Sequence, residues 1–221
     1  MNLAQDLETH GLFVRGSTPL TAAEISSFDF DRGVKAVILV GNTGSSYWPV
    51  FSQSSEYLDG EPDPLDRWSR RVAAAIVERH PLQVIFPFEG PPYYPFLQWA
   101  QRAEALAQSP LGLMIHPKYG LWHSYRFALL TDTEGEASKV AAVESPCLSC
   151  VSQPCLNTCP VDAFDANGYA VDRCAEYLKR TPQADCHSSG CMARYACPVA
   201  REYRYTPQQN QFHLSAFLAA R

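Results

Sequence analysis

All eight cysteines of this 221-residue chain lie between Cys147 and Cys197. The run CLSCVSQPCLNTCP separates Cys147, Cys150, Cys155 and Cys159 by two, four and three residues and ends in Pro160. Cys174, Cys186, Cys191 and Cys197 follow, and Pro198 again stands behind the last. Soft thiolate sulfur suits iron–sulfur chemistry, and four thiolates hold one cubane by its corners, so eight match two clusters. A proline behind a ligand fits a turn whose amides face sulfur and itself withholds a donor. Three other uses of cysteine compete with this one. Zinc ribbons usually pair CxxC knuckles, of which only Cys147–Cys150 is present. Disulfides are disfavoured without a secretory signal and in a chain able to build a core, and eight clustered free thiols would leave the pattern unexplained.

These residues need a scaffold, and the rest of the chain divides from them chemically. Before Cys147 there are 11 basic and 17 acidic residues; from Cys147 onward there are 7 and 6. A joint near residue 140 follows, giving domains 1–140 and 141–221, with the small, charged and aperiodic Asp132–Pro146 as connector. The net charge of −5 lacks the basic excess that phosphate-backbone binding requires, so nucleic acid is not expected as a general partner. No apolar run is long enough to span a membrane, and Met1–His10 has neither a basic start nor an apolar stretch. A cytoplasmic protein is expected.

The front part alternates strand and helix patterns, an α+β or mixed α/β layer. Val34–Val40 is a buried-strand run broken by Gly41. Leu65, Trp68, Val72 and Ile76 recur at helical spacing, with Asp63 as cap and Pro64 in the first turn. Further strands are expected at Leu82–Phe86, near Leu111–Ile115 and at Tyr125–Leu130, with a helix within Pro95–Gln108. The loop FPFEGPPYYPF, Phe86 to Phe96, combines prolines and ring faces. It either walls a pocket or closes the core. GNTGSS is neither GxGxxG nor a P-loop, and no GxSxG or HExxH occurs, which weakens nucleotide and hydrolase readings.

The first cysteine run resembles bacterial ferredoxin, CxxCxxCxxxCP, with a second gap longer by two residues. The whole arrangement is similar to the Fe–S module of epoxyqueuosine reductases and corrinoid reductive dehalogenases. That resemblance implies that Cys147, Cys150, Cys155 and Cys197 hold one [4Fe–4S] cluster and Cys159, Cys174, Cys186 and Cys191 the other. The stretch MIHPKYGLWHSYRFALLTD, through His116, Pro117, Gly120, Trp122 and Arg126, resembles the cobalamin-processing (decyanating and dealkylating) family. AVILVGNTGSSYWPVF and DPLD are similar to the same family. The resemblance implies a nitroreductase-like front domain, a ferredoxin-like rear domain and a cobalamin-type corrinoid. His116, Tyr119, Gly120, Trp122 and Arg126 are its candidate contacts, and Glu89 is a proton donor if buried.

Bland alternatives stand beside these. His116 before proline suits a turn satisfied by backbone, Tyr119 and Trp122 suit core, and Arg126 suits a salt bridge. The function implied is an oxidoreductase passing electrons from an external donor through two clusters to the corrinoid. The rival is a ferredoxin-type carrier whose front domain docks a partner and binds no corrinoid.

Overall fold

The computed structural model describes residues 2–31, 33–134, 144–165 and 168–221. The connector expected at Asp132–Pro146 lies in good part outside them. The chain forms an α+β fold of small antiparallel sheets in two compact units, Met1–Ala105 with His123–Ala142, and Leu106–Trp122 with Val143–Arg221. Residues 106–122, which the sequence division at 140 leaves in the front domain, thus belong with the cysteine-bearing chain. Their apolar side chains Leu111, Ile115 and Leu121 are buried against Ala193 and Cys197, and this burial draws the segment across the expected joint.

The first unit begins with α1 (Leu3–Glu8), β1 (Phe13–Pro19), α2 (Ala22–Ser27) and β2 (Ala36–Thr43). After the short helices α3 (Trp48–Phe51) and α4 (Ser55–Leu58) come α5 (Pro64–Arg79), β3 (Gln83–Ile85) and α6 (Phe96–Ala103). In the second unit β4 (Ala107–Gln108) pairs with β5 (Met114–Ile115), and the chain then re-enters the first unit as β6 (His123–Thr131). The four-stranded sheet runs β1-β2-β6-β3, antiparallel throughout. β2 and β6 are its central strands, and their unbroken apolar stretches fit a sheet covered on both faces.

Helix α5 buries Leu65, Trp68, Ser69, Val72, Ala73 and Ile76, the stripe its periodicity predicts. Trp68 meets Tyr47 and Phe51 at ring distances of 5.7 and 5.6 Å. Pro64 does open the helix, but Asp63 adopts φ 52° and its side chain makes no capping hydrogen bond. Its left-handed backbone turns the chain where a side-chain cap was expected. Much of the proline loop closes upon rings: Phe86 stacks on Phe88, and Tyr94 stacks on Phe30 and Trp99, while Tyr93 is exposed.

The second unit continues with α7 (Pro154–Asn157), the hairpin β7 (Phe164–Asp165) and β8 (Gly168–Tyr169), α8 (Val171–Arg180), α9 (Asp185–Ser189) and α10 (Met192–Tyr195). A 3₁₀ turn at Arg201–Tyr203 leads to α11 (Pro207–Ala219). Leu111, Ile115, Leu121, Ala193 and Cys197 form one buried cluster, against which Cys147, Cys155 and Cys159 also lie. Gly190 ends α9 at φ 79°, and a Cβ there would stand 2.8 Å from the Asn210 carboxamide carbon. That close approach lets Asn210 Nδ2 donate to Ser189 O at 3.0 Å, fastening α11 to α9.

Candidate functional site

The two residues by which the first cysteine run exceeds the ferredoxin spacing are absorbed in a turn. Gln153 takes φ 37°, and Pro154 then opens the one-turn helix α7 that carries Cys155. Further along, α8 presents Cys174, α9 presents Cys186, and Cys191 begins α10. Cys186 and Cys197 are buried, Cys191 is exposed, and the others are half-buried.

Two cavities of the second unit gather these thiols in fours. Cys147, Cys150, Cys155 and Cys197 line one of about 20 Å³, floored by Ile115 and Val199. Cys159, Cys174, Cys186 and Cys191 line another of about 190 Å³, whose walls include Trp122, Tyr169, Arg194, Asn210 and His213. The first has room for about one water, so seating a cubane there must move its thiol-bearing loops outward. The second is already roomy and mostly apolar-walled.

Electrostatics divide the cysteines in the same way. Burial pushes the Cys155 thiol up, and charge on Cys197, Cys147 and Cys150 pushes it further. Burial likewise raises Cys186, whose neighbours in charge are Cys174 and Cys159, while the Met192 amide donates to it and opposes the shift. Cys197 is raised by burial, with the Val199 amide and the Arg204 guanidinium acting against it. Ala163 N–H donates to Cys159 Sγ at 3.3 Å. Thiolates crowded this way resist ionising together unless a cationic centre lies among them.

The donor set also fits such a centre in its surroundings. Trp122 Nε1 and Arg194 Nε, on residues lining the larger cavity, are buried and have no acceptor among the described residues. Arg204 Nε is buried and unpartnered too, on the arginine whose charge reaches Cys197. Unmade hydrogen bonds of this kind cost about 1–3 kcal/mol each, and acceptor sulfur would relieve them. Among the described residues no three His, Cys, Asp or Glu side chains converge on a single ion-sized point.

The six corrin candidates are divided between the units: Glu89 and Arg126 in the first, His116, Tyr119, Gly120 and Trp122 in the second. Neither described cavity gathers them. His116 Nδ1 accepts the amides of Lys118 and Tyr119 at 3.0 and 3.2 Å, the backbone-satisfied turn foreseen as its bland role, and its ring stacks on Tyr119. Gly120 has φ 56°, and a Cβ there would stand 2.6 Å from Val199 O, so its missing side chain serves the approach of that backbone. Trp122 is buried beneath the Arg194 guanidinium, 4.6 Å from its ring centre. Glu89 pairs with Arg70 at 2.5 Å, and Arg70 also lies over Phe86 and Phe88. Arg126 Nε donates to Tyr125 O and offsets part of the burial that pushes the Asp66 carboxyl up.

The sequence reading passed over Arg194, Arg204 and Asn210. Only Arg194 carried a signal, since it sits inside the run CMARYAC between two cysteines. It also passed over a buried polar group in the first unit. There Arg15 pairs with Glu104 at 2.9 Å, Glu104 accepts the Tyr125 hydroxyl, and Arg15 Nη1 donates to Asn42 O at 2.8 Å.

Comparison with solved structures places this architecture. The chain is similar to a crystal structure of epoxyqueuosine reductase with an epoxyqueuosine-modified tRNA-Tyr stem loop, at TM-score 0.51 and 14% identity, covering 95% of this chain and 67% of that one. A Bacillus subtilis epoxyqueuosine reductase gives TM-score 0.51 and 13% identity over 95% of this chain and 69% of its own. The fold is that of these reductases, of which this chain spans about two thirds. No protein-family model matches the sequence, and no curated protein matches it. The first of these structures holds tRNA, a partner class that the acidic balance of this chain argued against. Among the described residues no helix is long and apolar enough to cross a membrane.

Proposed function

We propose that the chain is an iron–sulfur oxidoreductase whose second unit, ferredoxin-like, holds two [4Fe–4S] clusters. One would sit on Cys147, Cys150, Cys155 and Cys197, the other on Cys159, Cys174, Cys186 and Cys191. The observation that carries this reading is the division of all eight cysteines between two cavities, four to each. When bound, the clusters supply one-electron transfer. The chain's own work is to bring thiolates together in fours and to offer amide donors to sulfur. Its Trp122, Phe164 and Leu178 side chains give the larger cavity apolar walls.

The electrons come, on this reading, from an external one-electron donor and leave through the clusters toward a further acceptor. A cobalamin-type corrinoid is the acceptor that the resemblance around His116 and Arg126 implies. A solved neighbour bound to a tRNA stem loop favours a modified tRNA base as the substrate class beyond it. The short His116–Gly120 bridge, carrying Lys118, lies in the second unit and gives that class one exposed cation.

Anaerobically purified full-length protein tests the reading through iron and acid-labile sulfide, followed by titration with cob(II)alamin under dithionite. About eight irons and eight sulfides per chain, with a shift of the cobalt band, support it. The same iron content without any cobalt response leaves a ferredoxin-type carrier, and zinc without sulfide overturns the cluster assignment.

A further inference from the structure

Arg194 is the one arginine lining the larger thiol cavity, and its setting is unusual for a cation. Its guanidinium lies 4.6 Å from the centres of both Trp122 and Tyr205, rings that meet edge to face 5.4 Å apart. Nη2 donates to Leu121 O, whereas Nε is buried without an acceptor. No carboxylate forms an ion pair with it among the described salt bridges; acidic partners take Arg15, Arg67, Arg70, Arg71, Arg79, Arg102 and Arg180 instead. Trp122, whose indole N–H is likewise unpartnered, lines the same cavity. Arg194 as a whole is half-buried, but its shielded Nε and the Trp122 indole N–H are two donors left unmade, and an anion in the cavity would satisfy both.

Resting on the two-cluster reading, we propose that Arg194 and Trp122 tune the cluster held by Cys159, Cys174, Cys186 and Cys191. Arg194 supplies positive charge and Trp122 a hydrogen bond to sulfur, and both raise the reduction potential of that cluster. Four thiolates around a cubane give an anion, and each reduction adds one electron without making or breaking a bond. A fixed cation and N–H donors stabilise the more negative, reduced state over the oxidised one. Tyr205 and Trp122, two rings set at an angle beside the guanidinium, hold it in place and limit its screening by water. Both residues are positioning groups and act through the cluster. The electron itself comes from the external donor, represented in the test by dithionite or an electrode.

The experiment is an anaerobic redox titration of full-length protein, followed by electron paramagnetic resonance, with iron and sulfide counted on each sample. Wild type is compared with Arg194→Met, Arg194→Lys, Trp122→Phe and, as a surface control, Arg180→Met. Two reducible centres are expected in wild type. The midpoint of one should fall in Arg194→Met and, by less, in Trp122→Phe, with iron unchanged. Arg194→Lys should recover most of the shift, a response that a merely structural arginine would not give. Unchanged midpoints in iron-replete Arg194→Met and Trp122→Phe, or equal shifts in both centres, overturn the proposal. If Arg194→Met fails to hold its iron, Trp122→Phe, which keeps an aromatic ring, decides by the same criterion. Wild-type protein without iron and sulfide defeats the cluster reading itself, a result distinct from any of these.

Discussion

The two units solve the problem of a stable interior by different means. The first buries large rings and aliphatic side chains on a four-stranded sheet and beneath a sixteen-residue helix. Its charged residues close upon each other, as Arg15 does on Glu104 and Arg71 on Glu56. The second has two-residue strands, mostly single-turn helices and small buried clusters, one of which already includes a cysteine. Its arginines 194 and 204 have unpaired Nε groups, and its thiols crowd. A unit built of such short elements gains stability when a ligand cross-links it, as small metal domains do. If the proposed clusters are bound, the difference teaches that one half of this chain is held by burial and the other also by what its cysteines hold.

The largest effect should therefore come from removing iron. Oxidative stripping with a chelator should abolish amide-exchange protection in α8 and α11 while leaving β2 and β6 protected. Loss of protection in both units together, or in neither, breaks the contrast. Next in size, Cys197→Ala should remove about half of the iron, since one of two cubanes loses a corner. Iron and sulfide analysis reads this directly, and full iron occupancy in that variant would take Cys197 out of the ligand set.

Legibility in the sequence followed the same division. β2, α5, β3, α6 and β6 of the first unit were visible because apolar runs and a 3.6-residue stripe are local records of burial. β1 was not visible: its buried residues include Arg15 and Thr18, whose partners lie far along the chain. The ends of β5 were blurred for the opposite reason, since Leu111 is apolar for the sake of a core and pairs with no strand. In the second unit chemistry was written more plainly than shape. Eight cysteines and two Cys-Pro pairs marked where the thiols stand, whereas the cavities they line belong to the fold and carry no local pattern. The corrin candidates fared otherwise because His116, Gly120 and Trp122 have roles in turn, close approach and core that a motif does not distinguish from ligand contacts.

In the first unit a single ring should matter more than any charge. Trp68→Ala removes a fully buried indole from among Tyr47 and Phe51 and should cost about 3–5 kcal/mol of stability. Urea unfolding followed by exchange in β2 should show the midpoint falling, with iron per chain unchanged. A parallel loss of iron would mean that the two units do not keep separate accounts of stability.

The smallest effect is the most specific to one unit. Arg71 Nε and Nη2 donate to the Glu56 carboxylate at 2.5 and 3.0 Å, and this holds the Glu56 pKa down at about 2 against an ordinary 4.5. A carboxyl whose pKa is depressed by folding stabilises the fold above its ordinary pKa and loses that contribution as pH falls toward the folded value. With half of Arg71 exposed, screening limits the effect, and Glu56→Gln should cost about 1 kcal/mol at pH 7. The gap between wild type and variant should stay level from pH 7 to about 5 and close between about 4.5 and 2. Acid in that range also destroys iron–sulfur centres, so the measurement must be made on exchange in β2 and β6 and not on the whole chain. A gap that persists undiminished at pH 2 would assign the cost of the substitution to packing around α4. Its closure, with the sheet still protected after the clusters are gone, would show the first unit standing on burial and ion pairs alone.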